Sequence, residues 1–267
     1  MYFVFRLLSH SHFRVSKRTT LHAILNHKPP NHMTPSDMVL IKGGSFTRPA
    51  VKRFRSLVSA RAAYRVTLND FWLAKYQLTF EEYDAFCIAT DKRLPGDGGW
   101  GRGQRPAIFV DWYDAVAYCN WRSVQEGLQA VYDITDAKII FDRSSNGYRL
   151  PTHGEWEFAA KGGVLSEGYT YSGSDNLDEV AWYNDNADGQ TQPVGQKKAN
   201  ELGLYDMTGN VGEWCWDNSN SFVNSPWDHP QDQDTGYLRV HHGGCWGELA
   251  ENLCGIVMWS SSPDLRQ

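Results

Sequence analysis

At 267 residues the chain can bury one substantial core or two small ones, and a net charge of -5 removes any whole-protein attraction to nucleic acid or anionic membrane. Eleven tryptophans, thirteen tyrosines and twenty-four glycines, with only 21% charged residues, exclude a helical bundle and describe short strands, turns and irregular loops tied together by aromatic side chains. No stretch reaches the roughly 20 apolar residues needed to span a bilayer. The five cysteines (Cys87, Cys119, Cys215, Cys245 and Cys254) form no C-x-x-C pair. They fit buried or reduced thiols better than a disulfide framework.

The first 36 residues carry scattered Arg, His and Lys and no helix or strand period. Arg6 and the Ser-His run at 9–12 interrupt the apolar start, so it does not read as a signal peptide. The reading is a disordered leader or a misassigned start ahead of one domain over 37–267. The missing signal favours a cytoplasmic protein; a misassigned start would allow the cell surface.

Order begins at Met38-Val-Leu-Ile-Lys-Gly-Gly-Ser-Phe46, read as one strand ending in a glycine turn. Residues 51–61 are basic and read as an exposed loop. Tyr64 to Ala74 alternates and is rich in strand formers, so it reads as a second strand. Thr79, with Glu82 three residues on, signals the start of a helix whose buried face is Phe80, Tyr83, Phe86 and Cys87. The glycine-rich 96–101 lacks the Lys-Ser/Thr of a phosphate loop and reads as plain loop. Asp111 caps a second helix with Trp112, Ala115, Val116, Cys119 and Asn120 on one stripe. Short strands follow at 130–134 and 139–142.

Thr152 and Glu155 repeat the capping pattern, predicting a third helix with Trp156, Ala159 and Ala160 buried before Gly162-Gly163 ends it. His153, in its first turn with no partner pattern beside it, reads as a solvated surface histidine. The stretch Gly203 to Asp217 reads as a bent strand-loop-strand around the Gly209-Asn210 turn. Asp206 and Glu213 lie on either side of that turn. They either cap the turn and face solvent, or join backbone carbonyls around a hard cation such as calcium.

Four motifs carry a family resemblance: Met38 to Phe46; Tyr148-Arg-Leu-Pro-Thr-His-Gly-Glu-Trp-Glu-Phe-Ala-Ala; Asn200-Glu-Leu-Gly-Leu-Tyr-Asp-Met-Thr-Gly-Asn-Val-Gly-Glu-Trp; and Arg239-Val-His-His-Gly-Gly-Cys-Trp. In that order they resemble the signatures of the formylglycine-generating enzyme, or sulfatase-modifying factor, family. The resemblance implies an α+β domain of the formylglycine-generating type within the C-type-lectin fold, with short strands, two or three helices and much irregular loop. It also implies a structural calcium ion held by Asp206 and Glu213 through side chains and by Gly209 and Val211 through carbonyls. A second family calcium site falls near 182–189, where Asp185 and Asp188 are the candidates.

Enzymes of this family bind copper through a Cys-x4-Cys pair after the Gly-Gly-Ser signature, because only a thiolate holds the cuprous ion well. Those two places are Glu248 and Leu253 here, so copper is not expected. Cys245 and Cys254 lie close by but out of step. The chain also ends without the final Gly-Phe-Arg strand of related chains, a truncated end. The segment from Gly243 to Arg266 resembles the variable region of diversity-generating retroelement proteins. That resemblance implies a non-catalytic surface for a protein or carbohydrate ligand. Its candidate contacts are Trp246, Gly247, Glu248, Leu249, Glu251, Asn252, Cys254, Ile256, Met258 and Trp259. The competing expectation is a copper- and oxygen-dependent formylglycine-generating oxidase, or a related non-haem iron enzyme. Adjacent histidines such as His241-His242 diverge on a strand and make a poor iron set.

Overall fold

The computed structural model describes residues 37–48, 63–135, 139–218, 238–254 and 258–266. The leader through residue 36, the basic stretch 51–61 and Ile256 fall outside the described residues. The two apolar runs expected as single strands each break once, at the same level. They give β1 (Met38–Ile41) and β2 (Gly44–Arg48), then β3 (Tyr64–Leu68) and β4 (Phe71–Ala74). β1 pairs antiparallel with β4 and β2 with β3, so the four form one bent hairpin. At the bend the Gly43 N–H donates to the Asp70 carboxylate at 2.8 Å. A Cβ on Gly43 would lie 2.4 Å from the Leu68 carbonyl oxygen, so no other residue fits there.

Helix α1 (Phe80–Ala89) starts on the full capping box of Thr79 and Glu82, and α2 (Trp112–Gln125) starts on Asp111, whose side chain accepts from the Asp114 N–H. Their buried faces meet in an aromatic layer in which Tyr83, Phe86, Tyr118 and Trp121 lie 5.4–6.0 Å apart by ring centroid. Burying each such ring contributes about 1.5–3 kcal/mol, which is why this layer anchors the larger core. Strands β5 (Tyr132–Ile134) and β6 (Ile139–Phe141) pair antiparallel and set Tyr132 and Phe141 against Trp216.

Helix α3 (His153–Ala160) has the predicted capping box, but all eight of its residues are buried rather than one face. It is enclosed because it packs against β3 on one side and against β7 (Glu213–Asn218) and β8 (Arg239–His242) on the other. A single helical turn, α4 (Leu177–Val180), brings the described α-helices to four. β7, β8 and β9 (Met258–Ser261) form an antiparallel sheet in that order, with β9 at an edge. The stretch from Gly203 is not strand-loop-strand: residues 203–212 are turns and irregular backbone, and only Glu213–Asn218 is a strand. Asp206 and Asn210 hold positive φ there, which an extended strand does not allow. The last described residues fold back onto α2, where the Trp112 N–H donates to the Pro263 carbonyl at 2.9 Å and Arg266 pairs with Asp111.

Candidate functional site

Two neighbouring regions hold the sequence-predicted site residues. The first is the loop at 206–213. Asp206 and Glu213 are 2% and 1% exposed, so neither is the solvated carboxylate that one reading of the sequence allowed. Asp206 Oδ2 accepts from the Gly195 N–H at 2.7 Å, while Asp206 Oδ1 is buried without a hydrogen-bond partner. Glu213 accepts from the Trp156 indole N–H. Burial pushes the Asp206 carboxyl up to about 6 and the Glu213 carboxyl up to about 8, the latter raised further by the charge of Asp206. Gly209 is required by geometry: its φ is +79, and a Cβ would sit 2.3 Å from the Trp182 carbonyl oxygen.

The space at Gly243 is bordered by two carbonyl oxygens and a ring carbon of Trp156. A Cβ added there would meet the carbonyls of Val211 and Met207 at 3.6 and 3.8 Å. Two buried carboxylates, one with an orphaned oxygen, and nearby carbonyls are oxygen donors of the kind that calcium takes. Among the described residues no group of three or more His, Cys, Asp and Glu side chains is arranged to hold a metal ion. Asp185 and Asp188 are both exposed. It is Asp178, in α4 ahead of that loop, that gathers polar neighbours, accepting from Tyr183 and Asn186.

His153 is not a solvated surface residue. It is 6% exposed, and its Nδ1 lies 2.5 Å from Nε2 of His242, itself fully buried. The ring planes differ by 10° and the centroids are 4.6 Å apart, and one ring nitrogen of the pair donates to the other. No local pattern could signal this contact, because the partner lies 89 positions away. His241 and His242 do diverge: His242 turns inward to His153 and Trp156, and His241 turns to Ser261, with Nε2 and Oγ 2.9 Å apart.

The second region is the segment after Gly243-Gly244. It closes a cleft of about 170 Å³ lined by Gly212, His241, Gly244, Cys245, Glu248, Trp259, Ser260 and Ser261. Burial, and then the charge of His242, push the His241 imidazole down to about 3, so the cleft meets a neutral ring at physiological pH. Of the predicted contacts, Gly247, Leu249, Glu251, Asn252, Cys254, Met258 and Trp259 are exposed, and only Trp246 and Glu248 are half-buried. The exposed ones do not close the core. Trp246 packs edge-on against Trp100 with centroids 5.0 Å apart, and its N–H donates to the Asn210 carbonyl at 2.7 Å, tying the segment to the first region. Sequence reasoning missed Gly212, His241, Ser260 and Ser261 as cleft walls, since the cleft exists only once β8 and β9 pair.

At the two places where related enzymes carry the thiol pair, Glu248 lines the cleft and Leu253 is fully buried against Leu177, Ala181 and Tyr183. The segment Ala250–Leu253 is a 3-10 turn rather than a strand. Cys245 is in the cleft wall with its thiol pushed up by burial, whereas Cys254 is exposed and not among the lining residues.

The sulfatase-modifying factor enzyme 1-like domain matches over residues 25–264. Chaperone protein LppX of Paenibacillus barcinonensis is 38% identical over 249 residues, 81% of this chain and 80% of that protein. The formylglycine-generating enzyme of Streptomyces coelicolor is 31% identical over 182 residues, 61% of this chain and 50% of the enzyme. The serine/threonine-protein kinase pkn1 of Chlamydia pneumoniae is 28% identical over 243 residues, but this chain spans only 34% of its length. Among solved structures, Treponema denticola variable protein 1 superposes with a TM-score of 0.67 at 28% identity, over 86% of this chain and 91% of that one. The match along nearly the whole described fold, with a 38% identical relative aligned over most of both lengths, establishes that the chain belongs to the sulfatase-modifying factor enzyme 1-like family.

Proposed function

We propose that this protein is a non-catalytic binding protein that holds a protein ligand on the surface running from Trp246 to Trp259. The observation that carries this reading is the exposure of that segment. Met258 and Trp259 are 46% and 40% exposed on a strand whose neighbours β7 and β8 are largely buried, which is costly for the fold and useful for a partner. The likeness to a variable protein supports a display role for the segment, and the relative named as a chaperone protein favours a polypeptide over a carbohydrate as ligand. In the same reading a calcium ion is held by Asp206 and Glu213 with the carbonyls of Gly209 and Val211. Its task is to neutralise two buried carboxylates and fix the loop on which Trp246 rests.

The competing reading is oxidation of a substrate cysteine to formylglycine. Glu248 and Leu253 stand where the copper thiolates are needed, and Cys245 is a protonated thiol. Copper-loaded protein incubated with oxygen and a Cys-x-Pro-x-Arg peptide tests the choice by mass spectrometry. An unchanged peptide is the expected result, and formylglycine in the product would overturn the binding-only reading.

A further inference from the structure

Resting on that protein-binding reading, we propose that the cleft beside Trp259 is an anchor pocket for one lysine side chain of the ligand, its ammonium held between Glu248 and Nδ1 of His241. The walls come from three places: Gly212 just ahead of β7; His241, Trp259, Ser260 and Ser261 on the paired strands β8 and β9; and Gly244, Cys245 and Glu248 on the segment between them. Gly212 opens the inner end. A Cβ there would stand 3.1 Å from His241 Nδ1, so the absence of a side chain leaves that nitrogen reachable. The other ring nitrogen, Nε2, lies 2.9 Å from Ser261 Oγ. In the tautomer whose Nε2–H donates to that hydroxyl, Nδ1 carries the lone pair and accepts from a donor in the cleft.

Size and charge choose the occupant. The volume of about 170 Å³ falls below the roughly 300–1,000 Å³ of small-molecule sites, so the cleft suits one long side chain rather than a whole ligand. Residues 243–263 include two carboxylates, Glu248 and Glu251, and no Lys or Arg, which favours a cation. Glu248 lines the cleft and accepts from Asn252 at 3.0 Å, a bond that fixes its carboxylate in place and leaves it capacity to accept again. The indole of Trp259, 40% exposed, offers an aromatic face to the same cation. An ammonium brings three donors on a compact head, whereas a guanidinium brings five in a rigid fork. One carboxylate and one imidazole nitrogen suit the ammonium.

The test is an NMR titration of the full chain that follows the Trp259 indole N–H and the His241 ring signals. The probes are Nα-acetyl-lysine methylamide, its arginine counterpart, and its norleucine counterpart, which keeps an alkyl stem and lacks the charge. The lysine probe should shift both signals saturably, the arginine probe should bind more weakly, and the norleucine probe should bind about tenfold more weakly, the worth of one charge-assisted hydrogen bond. Glu248→Gln should weaken the lysine probe about tenfold and leave the norleucine probe unchanged. Gly212→Ala, checked for an unchanged thermal transition, should also weaken the lysine probe. Unmoved signals, equal binding of the lysine and norleucine probes, arginine binding as tight as lysine, or an unchanged lysine affinity in Glu248→Gln would overturn the inference. Selection from a random-peptide display library on the full chain separates this failure from failure of the reading beneath it. Selected peptides that lose binding in Trp259→Ala, yet carry no lysine preference and ignore Glu248→Gln, would keep the protein-binding reading and refute the lysine pocket. If no peptide is selected and the lysine probe is silent, both fail.

Discussion

The loop at 206–214 and the segment at 245–261 touch each other, yet they are built on opposite terms. They are joined by the Trp246 N–H on the Asn210 carbonyl, and just ahead of the segment the Gly209 N–H donates to the Gly243 carbonyl, both at 2.7 Å. The loop is buried almost throughout and uses backbone that few residues can adopt, at Asp206, Gly209 and Asn210. The segment is mostly exposed, and at Gly247 an added Cβ would meet nothing within 4 Å. One region therefore specifies the fold and tolerates little change. Beside it, Leu249, Glu251, Asn252, Met258 and Trp259 present exposed side chains.

The sharpest way to break this comparison is to place the same substitution in each region. Gly209→Ala puts a Cβ against the Trp182 carbonyl and strains a φ of +79, and should cost about 3 kcal/mol or more in urea denaturation. Gly247→Ala should stay within about 0.5 kcal/mol. Calcium comes next. At a hundredfold excess over its Kd it should add about 2.7 kcal/mol, read as a rise in Tm of about 5–10 °C, and Glu213→Gln should remove most of that rise.

The pH dependence is smaller and has a definite sign. Asp206 and Glu213 have folded pKa values of about 6 and about 8, above the ordinary carboxylate range, because burial disfavours their charged forms. At these two groups the folded state thus holds more protons than the unfolded state, so their contribution to the stability of the cation-free protein is fully present below the ordinary carboxylate range and is lost as pH rises to about 8. Glu213→Gln should flatten the upper part of that fall and stabilise the cation-free protein at pH 8 by a margin on the order of 1 kcal/mol. The proposed calcium site needs the deprotonated pair, so added calcium should stabilise more at pH 8 than at pH 5.

What could be read from the sequence was local. The boxes Thr79–Glu82 and Thr152–Glu155 were legible because both halves lie within one helical turn. Asp206 and Glu213 were legible as a pair because one short loop carries both. The breaks between β1 and β2 and between β3 and β4 were not, since the need for glycine at 43 is set by the carbonyl of Leu68. The burial of all of α3 and the His153–His242 contact likewise depend on strands far along the chain. The cleft walls at Gly212 and Ser260–Ser261 come together only through sheet pairing.

The most direct test of the division between fold and display is an alanine series by urea denaturation at Gly247, Glu248, Leu249, Glu251, Asn252, Met258 and Trp259. Each substitution is expected to leave stability within about 0.5 kcal/mol of the parent. Losses of about 2 kcal/mol or more at several of these positions would make them part of the core and contradict the account.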